Sequence, residues 1–208
     1  MNLGRSGGRR VWRETSIPDA QPPVHVQSLH LDPLSKAATL LVRFPSGWQR
    51  PYAGHYLVDE EVLVLEDSFE MSGVRYTAGT YAYLPAGYLR DGSTSRGGAL
   101  ALGWFSGRPE WVRGPSPTTA RVPVAVRDWT VLPRAQPPIA GSETGRLLRS
   151  HVSGDSWILD RSPSGPSPRS EVVDLFSLVD YTWLRVSPGE AIPHLAAPVF
   201  CRFRVKVD

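Results

Sequence analysis

With 208 residues, 41% of them hydrophobic, and a formal charge of +3, the chain can form one large domain or two small ones around a real apolar core. Its single cysteine, Cys201, excludes an intrachain disulfide and a thiolate metal cluster and suits a reducing compartment. No apolar run approaches the roughly eighteen residues of a membrane span, the N-terminus lacks a hydrophobic signal core, and no basic stripe with interleaved aromatics marks a nucleic-acid face, so a cytoplasmic protein is expected.

Twenty prolines and nineteen glycines punctuate many short apolar runs, a pattern that favours an all-β protein. Residues 1–23, with GRSGGRR and IPDAQPP, have little apolar periodicity and read as a flexible N-terminal arm; the alternative is a swapped strand or oligomer contact around Val11 and Trp12. From Val24 short strands follow: VHVQSLHL, AATLLVRF and a turn at Pro45–Gly47. His25 and His30 are five apart, so on one strand they point to opposite faces and are not neighbouring ligands. In EEVLVLE, Glu61, Leu63 and Leu65 share one face, and Val62, Val64 and Glu66 share the other. A hairpin is expected at Ser72 and Gly73; then Tyr81 and Tyr83 share a face, as do Leu100, Leu102 and Trp104 in GALALGWF.

The stretch Gly54–Asp67, GHYLVDEEVLVLED, and the stretch Gly79–Gly87, GTYAYLPAG, together resemble the two signature motifs of the cupin superfamily. His55 stands at the first histidine position, Leu57 at the second and Glu61 at the glutamate. Gly79, Pro85 and Gly87 match the second motif in spacing, but Arg90 stands at its histidine and Ser68 at the glycine that closes the first. The resemblance implies a cupin jelly-roll barrel with the Glu61 face turned inward, and it implies pairing of two copies into a homodimer. A cupin domain is therefore expected over residues 24–112.

Residues 113–141 bracket one strand candidate, RVPVAVRDW, and read as a crossing segment. Residues 142–208 read as a degenerate second cupin half: a shift of 110 positions carries Glu61 to Glu171, Arg75 to Arg185 and Gly79 to Gly189. Two unrelated β-rich segments are the alternative. Arg161–Ser170 is a Pro/Ser-rich loop, read as disordered or as a lid, and VFCRFRVKV alternates as a half-buried closing strand.

A catalytic metal needs about three protein ligands with positions left open. His55 and Glu61 supply two, Leu57 cannot coordinate, and Arg90 is a permanent cation, so no metal is expected unless His151 or His194 enters from the second half. Without metal, Arg90 either pairs with Glu61 or binds an anionic substrate group, and His55 can move a proton. Tyr81, Tyr83, Trp104 and Trp48 are the candidate substrate-binding rings for a small aromatic or anionic molecule. The leading expectation is a small-molecule enzyme of the lyase, cyclase or isomerase kind, acting through His55, Glu61 and Arg90. The rivals are a non-catalytic ligand-binding module, similar to the cupin domains attached to anti-sigma factors, and a metal-dependent cupin oxygenase with unusual ligands. No nucleotide fingerprint and no nucleophile elbow is present; SGDS at 153–156 lacks the flanking glycines.

Overall fold

The computed structural model describes residues 11–116, 125–139, 141–150, 154–168 and 171–205. Residues 1–10 of the expected arm, the 117–124 part of the crossing, His151 and the end of the closing strand at 206–207 lie outside the described residues. The chain divides into two compact units, one spanning Arg9–Asp128 and the other taking in Trp129–Asp208. No helix among the described residues is long and apolar enough to cross a membrane.

The first unit is built of β1 Arg13–Thr15, β2 Val24–Leu31, β3 Ala38–Phe44, β4 Trp48–Arg50, β5 Gly54–Tyr56, β6 Glu60–Met71, β7 Val74–Thr77, β8 Thr80–Leu84, β9 Ser93–Ser95, β10 Ala99–Phe105, β11 Trp111–Arg113 and β12 Ala125–Asp128. The main path runs β1-β2-β3-β10-β6-β8-β12, every pair antiparallel. Long β6 belongs to two faces of the barrel. Its first half pairs with β8 and β10; a bulge opposite Leu100 and Ala101, and Asp67 at φ 57°, then turn the strand so that Ser68–Met71 pairs with β7. Ser72 and Gly73, both at positive φ, make the expected hairpin.

Two elements extend this unit beyond residues 24–112. The segment read as a flexible arm contributes β1, which pairs Arg13 with Val26, and a bridge from Gln21 to Gln49. Its alternation was too short to see in the sequence, and β2 offers it an open edge. At the far end β12 pairs with β8, so part of the expected crossing is sheet.

The second unit opens with a 3₁₀ turn at Trp129–Val131 and contains β13 Gly145–Arg149, β14 Ser156–Leu159, β15 Glu171–Ser177, β16 Trp183–Val186 and β17 Val199–Val205. These pair in the order β13-β14-β17-β15-β16. In the first unit β2-β3-β10-β6-β8 follows the same path, with the last strand in the chain at the centre of the five. The second unit's core is formed by Trp157, Leu159, Val173, Leu175, Cys201 and Phe203, among others. Burial, and then the charge of Asp174, push the Cys201 thiol well above its usual pKa.

Val173 and Leu175 enter the core of the second unit, as Val62 and Val64 enter a core of the first. The Arg161–Ser170 loop also differs from expectation over its described part. Ser167 is buried, its hydroxyl donates to Ser187 O at 2.6 Å, and the amides of Ser167 and Ile192 close a bridge around it. Backbone hydrogen bonds supply what an apolar core could not, so a polar loop packs.

Candidate functional site

Alternation along β10 decides where the barrel is hollow. Ala101, Gly103 and Phe105 line a cavity of about 90 Å³ in the first unit, whereas the bulky Leu100, Leu102 and Trp104 face the other way. Ala101 and Gly103, set between bulky residues that face the other way, leave room on their side. From β6 the cavity takes Glu60 and Val62; Phe44 and Trp48 close one wall, and Phe69, Met71 and Leu84 another.

The cross-strand register carries this parity through the sheet. Glu61 stands opposite Tyr83 and Trp104, and Leu63 opposite Tyr81. All four site candidates, Glu61, Tyr81, Tyr83 and Trp104, therefore lie together on the face turned away from the cavity, where the Tyr81 hydroxyl donates to Glu61 Oε2 at 2.6 Å. The expectation that the Glu61 face looks inward is corrected: the inward carboxylate is Glu60. His55 is 2% exposed and absent from the lining; its neighbour Tyr56 points in, so alternation on β5 turns His55 out. Of the residues the sequence singled out, the cavity brings together Arg90 and Trp48.

Arg90 owes its place to the glycines of the second motif. Gly79 at φ 89° and Gly87 at φ 77° take the left-handed backbone that only glycine adopts freely. The Tyr88 amide donates to Pro85 O at 2.9 Å, closing a type II turn with Gly87 at its third position. Beyond the turn, Arg90 and Gly54 exchange two backbone hydrogen bonds of 2.8 and 3.0 Å. Held there, the guanidinium reaches Glu60 Oε2 through Nη2 at 2.5 Å and lies 4.5 Å from the centre of the Tyr56 ring.

The sequence did not point to Arg50, Glu60 or Trp111. Arg50 is 4% exposed and lines the cavity. Its Cζ lies 4.0 Å from the ring centre of Trp111, 5.5 Å from that of Tyr56 and 5.8 Å from that of Trp48. Nη2 donates to Tyr56 Oη at 3.1 Å. Trp111 is fixed by its own indole N–H, which donates to Asp19 at 3.0 Å, and it packs directly over Gly54, where a Cβ would stand 2.3 Å from Cζ2. The available signal was the alternation of small and large residues in ALALGWF, which marks the hollow side independently of any motif.

Tyr76 and Tyr88 are fully buried, and burial, with Tyr88 as its neighbour, raises the Tyr76 hydroxyl above its usual pKa. The lining thus holds two guanidinium groups, one carboxylate and the hydroxyl-bearing Tyr56 and Ser93 in a mainly apolar wall. The cupin fold commonly carries a metal, but this lining does not fit one. It offers no imidazole, its carboxylate is held by Arg90, and no group of three His, Cys, Asp or Glu among the described residues could hold an ion. His194, considered as a donor, is exposed in the second unit.

The sequence matches no family model, and no curated protein matches it. Solved structures do resemble the fold. A proposed dioxygenase from Nostoc punctiforme superposes with a TM-score of 0.73 at 18% identity, covering 95% of this chain and 78% of that one. The Ylba protein of Escherichia coli gives 0.55 at 14% identity over 98% and 85%. Vicilin from hazelnut, Corylus avellana, gives 0.50 at 10% identity over 93% and 83%. Such identities speak for architecture alone. With a jelly-roll barrel, glycine turns of the second motif in place and structural likeness along nearly the whole length, the chain has the fold of the cupin superfamily.

Proposed function

We propose that the chain is a small-molecule cupin enzyme of the lyase, cyclase or isomerase kind, whose chemistry is proton transfer in the barrel of the first unit without a tightly bound metal. The observation that carries this reading is the Arg90–Glu60 pair, 2.5 Å apart, set into a small apolar cavity. Arg90 orients the carboxylate and balances its charge; Glu60 takes a proton from carbon and returns it, to another carbon in an isomerisation or with the leaving group in an elimination. Among the described residues the lining lacks the donor set that metal-dependent oxygenase chemistry takes from its protein ligands.

Exchange of carbon-bound hydrogen tests the reading. Wild-type protein in D2O, given a panel of enolisable small acids, is expected to label at least one of them at a rate proportional to enzyme, as read by proton NMR. Glu60→Gln is expected to stop labelling. Labelling that persists in the variant, or none with any acid, sinks the proposal. A non-catalytic ligand-binding module is the second reading, favoured by Arg50, which borders the cavity and whose charge has no carboxylate partner among the described residues.

A further inference from the structure

Burying a guanidinium costs several kcal/mol unless a counterion and hydrogen bonds compensate. Arg90 has Glu60. Arg50 has neither a carboxylate within ion-pair reach nor a full set of acceptors: Nε and Nη1 donate to nothing among the described residues, although the residue is 4% exposed. Three aromatic rings and one tyrosine oxygen hold it, and aromatic faces attract a cation without neutralising it. The Tyr56 hydroxyl, having accepted from Arg50, keeps its own proton for a further acceptor. Both groups border the cavity, and Arg90, on the same tyrosine ring, places a second guanidinium within about 10 Å of the first.

We propose that Arg50 and the Tyr56 hydroxyl form a carboxylate-binding subsite at the cavity wall, and that the ligand is a small organic monocarboxylate whose hydrocarbon body lies against Phe44, Trp48 and Phe105. Charge sets the class. Two arginines and one glutamate leave the lining one positive charge in excess, which a single carboxylate neutralises and a phosphate dianion overshoots. The wall sets the body: Phe44, Trp48 and Phe105 present an apolar surface that suits a short hydrocarbon chain or ring. The rings that cage Arg50 also exclude water, so the ion pair formed on binding is desolvated and strong. The inference rests on the reading of this cavity as the functional site and names what enters it.

Titration calorimetry on the full chain tests it with isobutyrate and benzoate, their uncharged partners isobutyramide and benzamide, and inorganic phosphate. The carboxylates are expected to bind at least ten-fold more tightly than the amides and more tightly than phosphate. Arg50→Met is expected to weaken the carboxylates at least ten-fold and leave the amides little changed; Arg50→Lys, which keeps the charge in a folded barrel, is expected to fall between. Equal affinity for acid and amide, tighter binding of phosphate, full affinity in Arg50→Met, or no carboxylate binding by the wild type overturns the subsite. Failure here is separable from failure of the enzyme reading: a protein that binds isobutyrate but exchanges no hydrogen refutes only the latter, and one that labels an acid whose affinity ignores Arg50 refutes only the former.

Discussion

Removing the Glu60 carboxylate is expected to expose how the barrel tolerates Arg90. The two side chains are 16% and 4% exposed and meet at 2.5 Å, so the pair is largely desolvated. At an effective dielectric of about 20, charges about 4 Å apart attract by roughly 4 kcal/mol, and the cost of taking both out of water cancels much of that. The pair as a whole therefore adds little net stability, yet breaking it leaves a guanidinium with only the Tyr56 ring at 4.5 Å and the Tyr88 ring at 5.9 Å. Glu60→Gln should cost about 3 kcal/mol, and Arg90→Met a similar amount, on the scale of broken buried pairs. The double variant should return to within about 1 kcal/mol of wild type, a coupling well above that of unconnected sites. Urea unfolding of the full chain, followed by fluorescence, measures all four proteins. A double variant that loses the sum of the single losses would refute both the pairing and the inward orientation of residue 60.

Three further outcomes are expected. Gly54→Ala places a methyl 2.3 Å from Trp111 Cζ2 and 2.6 Å from Val112 O, and should cost about 1–3 kcal/mol while loosening the ring over Arg50; unchanged stability with unchanged carboxylate affinity contradicts the packing. Tyr81→Phe removes the 2.6 Å bond to Glu61 and should cost about 1–2 kcal/mol in the same unfolding assay, without altering ligand affinity, since that face is turned from the cavity. In the second unit, burial works to raise Asp174, but hydrogen bonds from Arg185 and the charges of Arg204 and Arg202 prevail and hold it below its ordinary 3.8. A depressed carboxylate contributes stability that is present above its unfolded pKa and is lost as pH falls through the folded value. Unfolding free energy should therefore decline below about pH 4, and Asp174→Asn should flatten that decline while costing about 3 kcal/mol at neutral pH; an unaltered slope would show the group is not the titrating one.

Much of the fold was legible because its signals are local. Gly79, Pro85 and Gly87 announce a turn that only that spacing makes, and EEVLVLE and GALALGWF alternate cleanly, so which residues share a face could be read at once. Which face turns inward could not, since inside and outside differ by one residue and β5 is separated from β6 by Leu57–Asp59, whose path no periodicity predicts. Matching His55 and Glu61 to a motif fixed that choice by analogy, and both ended buried on faces turned from the cavity. Arg50 was invisible for a different reason. A single arginine in Trp48-Gln49-Arg50 reads as a surface residue, and only the folded chain brings Trp111, sixty-one positions away, over its guanidinium.

Twin glutamates at the head of β6 stand back to back, one in the cavity and one on the reverse of the sheet. Deleting or inserting a single residue between Tyr56 and Glu60 would exchange them and every neighbour on the strand, turning the pocket's chemistry inside out while the hydrogen-bond ladder survived. That three-residue connection should consequently resist length variation that the outer loops absorb, and a library of one-residue indels scored for folding would find it intolerant.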